Sequence, residues 1–107
     1  MDIQINTTNN IEARQATTAR LEALVTERLS RFEGRLTRVE LHFGDENGDR
    51  NNGADIRCQI EARPAGQDPL SVSDLSDTMD QAASGALGKL AKALDRAFGK
   101  TTDRKGH

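Results

Sequence analysis

Four basic residues near the end of the chain, Lys89, Lys92, Arg96 and Lys100, follow one another at i, i+3, i+7 and i+11. On a helix this spacing gathers them within about 80° of one another and along about 16 Å of the axis. A ridge of that kind neutralises closely spaced phosphates and makes or breaks no bond. An upstream amphipathic segment gathers Arg20, Arg28 and Arg31 on one flank of its apolar stripe. Arg28 falls inside the apolar arc itself, where its stem would cover core residues while the guanidinium reaches water. With no Trp or Tyr and only three Phe, all at core-like positions, base stacking is not the recognition mode, so a bound nucleic acid would be held by its backbone and shape. The plainer reading is a solvated helix face, which Lys and Arg favour near a C-terminus because of the macrodipole.

The remaining reactive residue types do not assemble into a catalytic set. His42 falls on an expected strand and His107 at the last position, neither with a neighbouring cysteine or carboxylate pattern that would make a metal site or triad. Cys58 occupies an apolar alternation position, which predicts a buried, inert thiol. Asp45-x-Asn47-x-Asp49 begins like a calcium loop, but Arg50 stands where the sharp turn needs Gly and Ile56 where a bidentate Glu is needed. Gly99-Lys100-Thr101 ends like a phosphate-binding loop, but Leu94 replaces the first Gly and a helix precedes it. The sequence therefore predicts no enzyme, no metal, no cofactor and no small-molecule substrate.

The elements that would carry the basic residues are legible from periodicity. Met79, Ala83, Ala86, Leu87, Leu90, Leu94, Ala97 and Phe98 share one arc of a helix over 78–98, with Asp77 or Thr78 as its cap and Gly99 as its left-handed stop. Leu21, Leu24, Val25, Leu29 and Phe32 define a first helix over about 16–33, stopped by Gly34. Alternation places strands at 2–6, at Val39–Phe43, at Ile56–Arg63 and at 70–74. The middle two form a hairpin around a Gly, Asn and Asp-rich loop that is expected to be mobile. Residues 64–69, PAGQDP, form the next turn. The order β-α-β-β-β-α, with strands apolar on one face only, predicts an α+β two-layer open sandwich with two helices on one face of a four-stranded sheet. Residues 1–100 would form this single domain and 101–107 a flexible tail with no apolar anchor.

Composition agrees with a small intracellular domain. A chain of 107 residues with 35% hydrophobic and 30% charged residues supports one core. A lone cysteine allows no internal disulfide, and no apolar run approaches a membrane span or a signal peptide, so a cytoplasmic setting without membrane contact is expected. The formal charge of −2 conceals a dipole: nine acids against three bases over 44–80, two acids against six bases over 81–107. The basic half suits phosphates; the acidic middle would suit a protein partner.

Beyond these patterns, the opening INTTNNIEA, the segment VTERLSRFE and the run MDQAASGALGKLAKALDR resemble the first strand and turn, first helix and last helix of the ribosome hibernation-promoting and ribosome-associated inhibitor family. The resemblance covers about residues 1–100. It implies a fold like double-stranded-RNA-binding domains and binding to the small ribosomal subunit in the channel for messenger and transfer RNA, with steric inhibition of translation in idle or stressed stationary-phase cells. It also implies that Arg28, Arg31, Lys89, Lys92, Arg96 and Lys100 contact ribosomal RNA phosphates. The chain resembles the short form of the family, for which any pairing of ribosomes would need another, dimerising factor. The alternative left open by the charge pattern is a family-like regulatory domain that meets a protein through its acidic surface, its lysines serving solubility.

Overall fold

The computed structural model describes residues 1–7, 15–45 and 56–106, with side chains to Gly99. Its elements are β1 (Asp2–Thr7), α1 (Gln15–Arg28), a 3₁₀ turn (Ser30–Arg35), β2 (Leu36–Asp45), β3 (Ile56–Pro64), β4 (Leu70–Ser76) and α2 (Met79–Gly106). The sheet order is β1-β2-β3-β4. β1 runs parallel to β2, and the β2–β3 and β3–β4 pairs are antiparallel. The expected α+β architecture and the β2–β3 hairpin are both present. The loop joining the hairpin, over 46–55, and with it Asn47 and Asp49, lies outside the described residues, as does His107.

Strand register explains why one face of the sheet needs covering. Ile3, Val39, Ala62 and Leu70 form one row across it, and Ile5, Leu41, Ile60 and Val72 the next. These side chains join Leu21, Val25 and Leu29 of the first helical segment and Ala83, Ala86, Leu87, Leu90, Leu94 and Phe98 of α2 in a single core. Each large apolar side chain fully buried there contributes about 1.5–3 kcal/mol before the entropy of ordering is subtracted. The opposite face carries the polar alternates, among them Glu40, His42, Gln59 and Glu61.

Three local features set the element ends. Thr78 caps α2: its Oγ1 accepts the Gln81 N–H at 3.1 Å, while Gln81 Oε1 accepts the Ser76 hydroxyl at 3.1 Å. Pro64 to Gln67 form a tight turn in which the Gln67 N–H donates to the Pro64 carbonyl at 3.2 Å. Gly66 supplies the positive φ of 76° that this turn needs. The first helix ends earlier than its apolar spacing predicts. Leu29 departs from helical geometry (φ −111°, ψ 17°), and the chain tightens into the 3₁₀ turn through Gly34. The Phe32 N–H donates to the Leu29 carbonyl at 2.9 Å, an i to i+3 bond. Leu29, Phe32 and Leu36 all reach the core by this route.

At the other end the structure corrects the sequence expectation. Gly99 does not stop α2; the helical backbone passes through it to Gly106, and Gly99 has no positive φ. A left-handed glycine stop is commonly locked by an apolar contact from the residue after it. Lys100 and Thr101 offer none.

Candidate nucleic-acid interface

The two helical segments meet along a seam of polar contacts, and this seam decides which cations are available. At one end Arg20 pairs with Asp80, Nη2 to Oδ2 at 3.0 Å. Further along, Arg28 donates from Nη1 to the Ser84 hydroxyl at 2.9 Å and from Nη2 to the Ser84 carbonyl at 3.2 Å. Its guanidinium reaches over α2 instead of snorkelling freely. Arg31 forms a forked pair with Asp95, in which Nη2 donates to Oδ2 at 2.8 Å and Nη1 to Oδ1.

Aromatic rings floor the C-terminal end of this seam. Phe32 and Phe98 lie 5.9 Å apart, centroid to centroid, at an interplanar angle of 31°. Arg31 stands over Phe32 at 4.3 Å and Arg35 over Phe98 at 3.7 Å. A guanidinium held on a ring face is fixed in position yet keeps its edge donors. Arg35 is the cation that sequence periodicity misses: no local signal joins it to Phe98, because the 3₁₀ turn and α2 meet only in the folded chain.

The ridge on α2 divides. Lys89 turns down to the sheet edge, where Nζ donates to the Ser73 carbonyl at 2.8 Å and to Asp74 Oδ1 at 3.2 Å. The Asp74 side chain in turn occupies the space above Gly85, where a Cβ would come within 1.8 Å of Oδ2. Lys92 and Arg96 are exposed, and among the described residues neither has an ion-pair partner. Two like charges one helical turn apart are mildly destabilising on their own. An anion bridging them would remove that cost. The Lys100 side chain lies outside the described residues. The structure thus brings Arg28, Arg31, Arg35, Lys92 and Arg96 toward one side of the helical layer and directs Lys89 elsewhere.

Electrostatic shifts follow the seam. The hydrogen bond and charge of Arg31 hold the Asp95 carboxyl below the usual carboxylate range, and Asp95 raises the Arg31 guanidinium in return. Cys58 is fully buried. Burial first, and the Asp74 carboxylate second, push its thiol up to about 12, as the alternation pattern predicts for an inert thiol. His42 departs from its sequence reading: its Nε2 lies 3.3 Å from Oε1 of Glu40, two residues back on the same strand, and the β2–β3 pairing adds Glu61, which local sequence does not reveal.

Residues 4–102 match the family model described as Sigma 54 modulation protein / S30EA ribosomal protein, and the chain belongs to that family. It is a family of ribosome-associated factors and not an enzyme family. The fold is similar to the crystal structure of the Thermus thermophilus Protein Y N-terminal domain, with a TM-score of 0.71 at 18% identity over 90% of this chain and 98% of that one. It is similar as well to a ribosomal subunit interface protein from Coxiella burnetii, with a TM-score of 0.69 at 16% identity over 92% and 99% of the two chains. No curated protein sequence matches it.

Proposed function

We propose that this protein binds the small ribosomal subunit in the channel used by messenger and transfer RNA and holds the idle ribosome out of translation. The observation that carries the reading is the pair of exposed cations Lys92 and Arg96, without an ion-pair partner among the described residues, beside the arginines of the helical seam, in a chain of this family. Arg28, Arg31, Arg35, Lys92, Arg96 and Lys100 would meet ribosomal RNA phosphates. Such contacts position a domain without reading sequence. Lys89 would serve the fold before it serves RNA, since it ties α2 to β4. Inhibition would be steric, and the ribosome would place the protein in the cytoplasm.

The alternative, a protein partner on the acidic surface, finds less support. Within the acidic stretch 44–80, Asp74 and Asp80 are each engaged by a cation of the same chain. The deciding experiment is competition on isolated small subunits: transfer RNA is expected to displace the protein, and simultaneous full occupancy by both would reject the channel as its site.

A further inference from the structure

The uncovered face of the sheet carries a second arrangement, unrelated to the basic seam. Glu40 and His42 alternate on β2 and so project from the same face, and Glu61 stands directly opposite Glu40 on β3. The imidazole and the two carboxylates each offer a ligand atom, and these atoms lie within 4.8 Å of one another. We propose that Glu40, His42 and Glu61 bind a zinc-like divalent transition-metal ion.

Like charges placed directly opposite across a ladder are destabilising. Arg38 offsets one of them, with Nε 3.2 Å from Glu40 Oε2. This leaves Glu40 Oε1 turned to His42 at 3.3 Å. Glu61 has no ion-pair partner among the described residues. A cation between the three side chains satisfies both carboxylates at once. Tetrahedral ligands bound to zinc at about 2.0–2.2 Å sit about 3.4 Å apart, a spacing that His42 Nε2 and Glu40 Oε1 already have at 3.3 Å, within a set that spans up to 4.8 Å. Small rotations of solvent-facing side chains suffice to close that gap, because the His42 side chain is 43% exposed. The imidazole selects a borderline ion over calcium or magnesium, which prefer all-oxygen sets. Three protein ligands leave a coordination position for water. Paired neighbouring strands hold the ligands in register better than a loop would.

The test is calorimetric titration of the untagged full chain with zinc chloride in a non-chelating buffer, together with thermal melting. One saturable ion per chain is expected, with affinity falling by about tenfold or more in His42→Ala and in Glu61→Gln, since loss of even an outer-shell partner costs that much. Glu61→Gln carries a second signature: without zinc it should melt above the wild-type protein, because the opposed charges are gone, and it should lose the zinc-dependent rise in melting temperature. His107→Ala should bind as the wild type does. Absence of saturable uptake by the wild-type chain, wild-type affinity in folded His42→Ala, or loss of binding in His107→Ala would overturn the assignment. None of these readouts involves ribosomes, so the site stands or falls apart from the RNA-binding reading.

Discussion

Arg31, in the 3₁₀ turn after α1, holds Asp95 of α2 in a forked ion pair while its guanidinium lies over the Phe32 ring. The pair latches the two helical segments together at the surface where phosphates are expected to dock. Asp95 therefore competes with any bound phosphate for Arg31. Asp95→Asn is predicted to raise affinity for small subunits severalfold at fixed salt, measured by co-sedimentation. Unchanged or weaker binding by the folded variant would show that Arg31 is not an RNA contact.

The same pair has an acid limit. Asp95 is an acid whose folded value is depressed by Arg31, so its stabilising contribution is complete above the unfolded value of about 3.9 and is lost as pH falls through the lower folded one. Urea midpoints of wild type and Asp95→Asn should differ at neutral pH and converge in acid. A difference that persists in strong acid would contradict the assignment.

Charge reversal separates the working cations from the structural one. Lys92→Glu with Arg96→Glu should leave stability within about 0.5 kcal/mol, because both side chains are exposed and have no ion-pair partner among the described residues, and should abolish ribosome association. Lys89→Ala should cost less binding, since Lys89 is already engaged by Ser73 and Asp74. The reverse ranking in binding assays would move the interface to the sheet edge.

Two glycines of α2 should respond oppositely to alanine. At Gly88 a Cβ would meet Arg28 Nη2 at an ordinary 3.7 Å, so Gly88→Ala should stabilise by about 0.5–1 kcal/mol through helix propensity. At Gly85 the Cβ would strike Asp74 Oδ2 at 1.8 Å and Cγ at 2.8 Å, and that carboxylate must swing away from Lys89. Gly85→Ala should lower the denaturation midpoint in the wild-type background and raise it in Asp74→Ala. Equal stabilisation at both glycines would mean that Asp74 does not need the space.

Cys58 gives an alkaline prediction. Its folded value, near 12, exceeds the ordinary 9.0, so the folded protein keeps a proton that the unfolded chain gives up. Its contribution to stability is complete below about 9 and is lost as pH rises toward 12. A thiol reagent at pH 8 should label Cys58 no faster than the protein opens, and rapid labelling of the native protein would place the thiol at the surface.

Periodicity carried most of the architecture: Leu87, Leu90, Leu94 and Phe98 mark the buried face of α2, and the alternation of Val39, Leu41 and Phe43 marks a strand whose apolar side meets it. These signals are local, repeating every few residues. Availability of charge is not local. Whether Lys89 or Lys92 is free depends on Asp74 arriving from β4, and the role of Arg31 depends on Asp95 across the seam. The purpose of Gly85 and the meeting of His42 with Glu61 were illegible for the same reason, since each is created by strand or helix pairing. The continuation of α2 through Gly99 goes with the residue types that follow it, Lys100 and Thr101, neither of them an apolar residue of the kind that locks a left-handed stop.

The central claim, that the basic seam holds ribosomal RNA by its phosphates, is tested most directly by co-sedimentation of the purified protein with isolated small subunits across a range of salt. Saturable binding at one copy per subunit is predicted, with log affinity falling linearly against log salt and a shallower slope in the Lys92→Glu, Arg96→Glu variant if any binding survives. Absence of binding at low salt, or binding indifferent to salt, would contradict it.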